Sequence, residues 1–141
     1  MKDKKLIGSL ADFHVRNKLL LMAHSPKHLK QMGYLVAHPG ELSKSELVAQ
    51  YEKLLMEVIA LKPTEAKHTN VLHHAMGYFK KNLSADEKQE LLEVIDQFRW
   101  GLVPLTVPVT LLNHYVWKYD QPYLKDQTYL NSHPLEMRFR D

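Results

Sequence analysis

Nine histidines in 141 residues are the feature of this sequence that could most readily carry chemistry. Histidine acts as a metal ligand and as a general acid or base, and six of the nine fall on segments with helical periodicity: His14, His24, His68, His73, His74 and His114. No pair of these six has the i, i+4 spacing of a zinc site on one helix, and the sequence contains no HExxH motif. We therefore predict that the chain holds no metal.

Other catalytic and cofactor-binding motifs are missing as well. The chain has no cysteine, which excludes disulfides, thiolate metal sites, iron–sulfur clusters and cysteine nucleophiles. No GxSxG sequence marks a serine nucleophile, and the five glycines are too scattered to form a phosphate-binding loop. We expect no cofactor, and a protein that binds a partner rather than one that catalyses a reaction.

A polar face without acidic residues is the strongest candidate for a binding site. Residues 64–81 predict a helix with one apolar side that should face the core and holds these residues: Val71, Leu72, Ala75, Met76, Tyr78 and Phe79. The other side holds these residues: Lys67, Asn70, His73, His74, Gly77, Lys80 and Lys81. Lysine, amide and imidazole groups contact phosphates well, and a glycine lets a nucleic-acid backbone approach. A solvated face, whose terminal lysines complement the helix dipole, is the alternative interpretation, and both remain open.

Polar residues on an apolar face suggest a second kind of site. His14, Lys18 and His24 lie on the mostly apolar side of a helix predicted over residues 10–24. A small enzyme could use His14, His24 or His74 as acid–base groups in a pocket between this helix and the helix at 64–81. The histidines that we assign to a possible pocket are His14, His24, His68 and His114. A protein-interaction scaffold is a third hypothesis.

The elements that must position these residues are all helical. Capping residues, prolines and apolar stripes predict helices over 10–24, 26–37, from Ser43 to before Pro63, 64–81, 84–101, near Pro108 and over 122–130, with an irregular tail after them. No segment alternates polar and apolar residues as a strand does. The expected fold is a single all-α domain over residues 1–141, a bundle of about five to seven helices with short connections.

Charge and hydropathy restrict where the protein works. Residues 1–34 contain seven Lys or Arg against two Asp, a balance of +5, whereas residues 35–141 have a balance of −2. A local basic excess attracts anionic partners, although it also aids solubility. The amino-terminal residues have no apolar stretch typical of a signal peptide, and no apolar segment reaches the roughly 20 residues that span a bilayer. We expect a cytoplasmic protein with no membrane association.

Three segments carry a resemblance to a known family: LADFHVRNKLLLMAHSP, HTNVLHHAMGYFKKNLSADEKQELL and FRWGLVPLTVPVTLLNHYV, the last followed by QPYLKDQTYLNSHP and EMRFRD. They resemble the YbgA-like family, a bacterial domain of unknown function. The family occurs alone and fused to a desulfidase domain that removes sulfur from thiouridine. The resemblance implies a tRNA-binding or tRNA-maintenance domain, with tRNA or another structured RNA as its partner and a separate desulfidase as a second one.

The resemblance and the acid-free face together give the predicted RNA-binding residues. They are Lys18, Lys67, Asn70, His74, Lys80, Lys81, Arg99 and Arg138. Leu29 and Lys30 stand where the family tends to have a Tyr-Arg pair, so guanidinium contacts from the second helix are not expected. Because the desulfidase holds its iron–sulfur cluster through cysteines, this cysteine-free chain would need a separate protein for that reaction.

Overall fold

The structure is a computed structural model that describes residues 2–131, with side chains from residue 8 onward. Its helices are α1 (Lys2–Arg16), α2 (Lys18–His24), α3 (Pro26–Ala37), α4 (Lys44–Ala60), α5 (Glu65–Met76), α6 (Ala85–Arg99), α7 (Thr106–Lys118), α8 (Pro122–Lys125) and a last segment, α9, at 128–131. No strand occurs in this part of the chain, so the all-α prediction is confirmed. The predicted count of five to seven helices was wrong, because two predicted helices are each divided.

The first of these two divisions separates α1 from α2 at Asn17. In a continuous helix the Leu19 N–H would donate to the Val15 carbonyl. Instead, the buried Gln127 amide lies between them: its Oε1 accepts from Leu19 N at 3.1 Å, and its Nε2 donates to Val15 O at 2.7 Å. A side chain inserted into the hydrogen-bond ladder is an established cause of a helix bend. Two consecutive helices result where one was predicted.

Most of the predicted helix starts are confirmed by side-chain caps. Ser25, Ser43, Thr64 and Ser84 each accept a hydrogen bond from the backbone N–H three residues later. Ser84 also takes part in a full capping box, in which Glu87 accepts from the Ser84 N–H. The prediction for Ser9 was wrong: α1 already begins at Lys2, so Ser9 lies within the helix.

The helix predicted over 64–81 also ends earlier than expected. α5 stops at Met76, and turns with i→i+3 hydrogen bonds follow, such as Tyr78 N–H to Ala75 O. Gly77 has a low helix propensity, and Phe79 is buried in the core beyond it. As a consequence Tyr78, which helical spacing would direct toward the core, is 42% exposed.

α2 lies between two hydrophobic clusters. Leu19 and Ala23 belong to the larger cluster, which α5, α6, α7 and the last helices complete. Leu21 belongs to the smaller one, with Met32 of α3 and residues of α4. This double contact fixes α2 beside α3 and α5 and thereby positions Lys18. None of the described helices is both long and apolar enough to cross a membrane.

Candidate nucleic-acid interface

The outer face of α5 contributes to a row of three neighbouring surface depressions that share lining residues, which we call the α5 track. Asn70 and Arg99 line the depression at one end, together with His73. His73 is shared with the middle depression, which also contains His74, Gly77 and Tyr78. His74 and Tyr78 are in turn shared with a groove between α5 and the α1–α3 region. The described residues that line the track include one acid, Glu65.

The groove at the far end of the track has a volume of about 500 Å³. Its polar groups come from three parts of the chain: His14 and Lys18 beside the α1–α2 break, His74 and Tyr78 on and just after α5, and Tyr123 on α8. Aliphatic side chains and the Gly33 backbone form the rest of its wall. A mostly apolar groove with a few convergent polar groups is typical of a ligand site.

His14 is the buried histidine of this groove. Its side chain is only 4% exposed, and its Nδ1 lies 3.0 Å from the Tyr51 hydroxyl. Burial lowers the pKa of His14 below its usual value, and the charge of Lys18 lowers it further. The imidazole therefore stays neutral near pH 7. A Cβ at position 33 would lie 3.3 Å from His14 Nε2, so Gly33 makes room for the ring.

Tyr78 and Tyr123 form an aromatic pair at the rim of the groove. Their ring centroids lie 4.7 Å apart with an interplanar angle of 31°, and His74 packs edge-on against Tyr78 at 5.7 Å. Burial raises the pKa of Tyr123, and its hydrogen bond with Tyr78 raises the pKa further. The neighbouring Gln121 amide donates to the Tyr78 carbonyl at 3.2 Å. These contacts hold a partly exposed ring at a defined angle.

The structure brings four of the eight predicted RNA-binding residues onto the track: Lys18, Asn70, His74 and Arg99. Lys80 and Lys81 are exposed in the turns just beyond it. Lys67 is placed differently, because its ammonium donates to the carbonyls of His24 at 2.8 Å and Lys62 at 3.4 Å. Its contacts tie α5 to the preceding chain. Arg138 lies outside the described residues.

The four histidines assigned to a possible pocket do not converge. His14 lines the groove, whereas His24 donates through Nδ1 to the Leu61 carbonyl at 2.7 Å. His68 Nδ1 lies 2.7 Å from the Tyr129 hydroxyl, and His114 lines a separate depression on α7. Within residues 8–131, no three His, Asp or Glu side chains are grouped so that they could hold a metal ion.

Tyr78 and Tyr123 line the groove, although neither is among the eight predicted RNA-binding residues. Helical spacing placed Tyr78 on the core side, and Tyr123 belongs to a group of aromatic residues that could stack on exposed bases but of which most were expected in the core. Gly77 was the available signal, because a glycine near the end of a periodic segment marks a helix end. Because the helix ends at Gly77, the direction of the Tyr78 side chain cannot be predicted from the helical spacing of the preceding residues.

Comparisons with known proteins agree on one family. The family described as "Protein of unknown function (DUF1722)" matches residues 18–134. The uncharacterized protein YbgA of Escherichia coli (strain K12) is 31% identical over 134 residues, which cover 94% of this chain and 79% of that protein. No solved structure matches the chain.

Proposed function

Because the chain belongs to the YbgA-like family of proteins of unknown function (DUF1722), we propose a function from its surface: it binds structured RNA, with tRNA as the expected partner, along the α5 track. The observation that carries this proposal is the succession of three depressions with shared lining residues, which runs from Arg99 at one end to Lys18 at the other. A row of neighbouring depressions suits an extended polyanion better than it suits a small molecule.

The electrostatics of the track support an anionic partner. Among the described residues, no carboxylate lies within ion-pair distance of Lys18, Lys80, Lys81 or Arg99. Their charges are thus available to phosphates, which supply most of the affinity in nucleic-acid binding. Asn70 and His73 add further hydrogen-bonding groups between the cations.

A charge reversal tests the proposal without touching the core. The double variant Arg99→Glu, Lys81→Glu alters two exposed side chains, and we expect it to bind bulk tRNA about tenfold more weakly or worse, because each change replaces an attraction by a repulsion. The matched control is Lys53→Glu, Lys88→Glu, which changes the net charge equally on exposed positions away from the track. Fluorescence anisotropy with labelled tRNA measures both. Equal losses in the two variants would reject the track as the RNA site.

The family resemblance suggests a purpose for RNA binding by this protein. A cysteine-free tRNA-binding domain would deliver or hold tRNA for a separate desulfidase that acts on thiouridine. If so, adding this protein to such an enzyme should raise its rate at subsaturating tRNA, and the double variant should not. An unchanged rate at every tRNA concentration would limit the proposal to RNA binding.

A small enzyme is the second candidate, because His14, Lys18 and His74 share one groove. The neutral His14 could accept a proton there, and His74 or Lys18 could stabilise charge on a bound substrate. Hydrolysis or rearrangement of a small substrate that His14→Gln and His74→Gln both abolish would favour this candidate over simple binding.

A further inference from the structure

We propose that the groove binds a single unstacked nucleotide, with its base against the ring of Tyr78 and its phosphate beside Lys18. The inference rests on the proposed function, since it assigns the groove to one nucleotide of the bound strand. It also applies to a free mononucleotide, because the chemistry recognised, an aromatic ring joined to a phosphate, is the same. The rest of the α5 track would then hold the neighbouring backbone.

The size and composition of the groove fit this ligand. Its volume of about 500 Å³ lies within the range of small-molecule sites. Val15, Leu19, Met22 and Val36 contribute apolar wall, which suits a base more than it suits a bare anion. A phosphodiester backbone alone would need neither this apolar wall nor an aromatic rim.

Tyr78 has the properties of a stacking residue. It is 42% exposed although Tyr123 and His74 pack against it, and these neighbours fix its ring orientation before any ligand arrives. A ring that is already held loses little conformational entropy on binding. Stacking of a base on an aromatic side chain contributes about 1–3 kcal/mol and works with any base.

Lys18 supplies the charge for the phosphate. It lines the same groove as Tyr78, and among the described residues it has no acidic partner. His14 lines the same groove as Lys18, and the charge of Lys18 contributes to the lowered pKa of His14. The His14 ring nitrogen Nε2 lies beside Gly33 at the wall of the groove.

Two substitutions at Tyr78 separate aromatic stacking from simple apolar contact. Tyr78→Phe keeps the ring, whereas Tyr78→Leu keeps an apolar side chain and removes the ring. We expect Tyr78→Leu to weaken binding of a single-stranded RNA oligomer roughly 5- to 100-fold, in keeping with the loss of one stacked base. Tyr78→Phe should bind within about twofold of the parent protein, and a blunt RNA duplex should bind equally well to all three, because its bases are not available for stacking.

Free ligands separate this inference from RNA binding in general. The full chain is titrated with a nucleoside monophosphate, the matching nucleoside, ribose 5-phosphate and inorganic phosphate, while the imidazole resonances of His14 and His74 are followed by NMR. We expect the monophosphate to bind most tightly, Lys18→Gln to remove its advantage over the nucleoside, and Tyr78→Leu to remove its advantage over ribose 5-phosphate.

The outcomes are distinct. If Tyr78→Leu leaves oligomer binding unchanged while Arg99→Glu, Lys81→Glu weakens it, the RNA function stands and the nucleotide site is rejected. If no RNA binds but the monophosphate binds with the expected selectivity, the groove is a free-nucleotide site and the RNA function is rejected. If the four small ligands bind equally weakly and the Tyr78→Leu substitution leaves binding of the RNA oligomer unchanged, the nucleotide inference is overturned. Thermal melting of each variant verifies that the fold is retained.

Discussion

The α5 track and the contact between α6 and α7 use charged groups in opposite ways. On α6, Glu87 accepts hydrogen bonds from Lys118 at 2.7 Å, from the Tyr119 hydroxyl and from the Ser84 N–H. These contacts lower the pKa of Glu87 to about 2, the Lys118 hydrogen bond most of all. On the track, Lys18 and Arg99 have no acidic partner among the described residues. The α6–α7 charges thus hold the fold together, whereas the track charges remain available for an external anion.

This contrast decides the choice of control variants. Glu87 and Glu90 are both acidic residues of α6, but Glu87 connects two helices whereas Glu90 is exposed and forms no ion pair within the described residues. A variant that neutralised Glu87 would alter both charge and packing. Glu90 is therefore the position at which a change of charge alone can be made.

The largest expected effect comes from removing the support of the track. Gln127→Leu removes the hydrogen-bond partner of the buried Leu19 N–H and of the partly buried Val15 carbonyl, and an unsatisfied buried group costs roughly 1–3 kcal/mol. We expect the free energy of unfolding to fall by about 1–3 kcal/mol in urea titrations, on the same basis. Gln97→Leu, at an exposed position of α6, is the control and should change it by less than about 0.5 kcal/mol. Similar stabilities would mean that the α1–α2 bend does not need Gln127.

Salt dependence comes next and tests whether the track charges are free. If Lys18, Lys80, Lys81 and Arg99 each neutralise one phosphate, log Kd should rise with log salt with a slope of about 3, which is roughly a 50-fold loss of affinity between about 50 and 200 mM salt. The double variant Arg99→Glu, Lys81→Glu should have a smaller slope. Anisotropy titrations at several salt concentrations give both slopes. A slope near zero would point to a partner that is not a polyanion.

The smallest expected effect concerns the α6–α7 contact and pH. Because the folded-state pKa of Glu87 is lowered from 4.5 to about 2, its ionised form stabilises the fold fully above pH 4.5, and this contribution is lost as the pH falls toward 2. Glu87→Gln should therefore lower the melting temperature at pH 7, with a difference from the parent protein that shrinks below pH 4.5. RNA binding should be unchanged.

Glu90→Gln is the matched control for that experiment. It removes the same charge from the same helix but breaks no hydrogen bond within the described residues, so its melting temperature should stay close to that of the parent protein. Should both variants melt alike at every pH, the contact among Glu87, Lys118 and Tyr119 would contribute nothing to stability. The charges of the α6–α7 contact would then have no stabilising role that distinguishes them from the charges of the α5 track.

Local signals in the sequence predicted most of the fold. Ser25-Pro26, Ser43, Thr64 and Ser84 mark helix starts through hydrogen bonds to residues three positions away, so the information lies within one turn. The helix at Pro26–Ala37 was predicted with the bounds that the structure has. Periodicity likewise placed Val71, Leu72 and Ala75 of α5 in the core, where they are buried.

The features that the sequence did not reveal depend on distant residues. The break at Asn17 follows from Gln127, which is separated from Leu19 by 108 positions, and no local pattern predicts it. Tyr78 was assigned to the core because the helix was extended past Gly77. Lys67 was assigned to a binding face, yet its ammonium donates a hydrogen bond to the carbonyl of His24, which lies 43 positions earlier in the sequence. For the site, the sequence supplied the residue types and the tertiary contacts decided which of them meet.

The insertion of Gln127 also has a consequence for the order of folding. During synthesis, α1 and α2 leave the ribosome long before residue 127, so the Leu19 N–H and Val15 carbonyl must first pair with each other or with water. Where they pair with each other, the helix is continuous across Asn17, and the break forms only when Gln127 docks with the last helices. A contact of such long sequence separation forms late because its loop closure is costly. The groove beside Lys18 is therefore completed at the end of folding, and a nascent chain that stops before residue 127 would not yet have it.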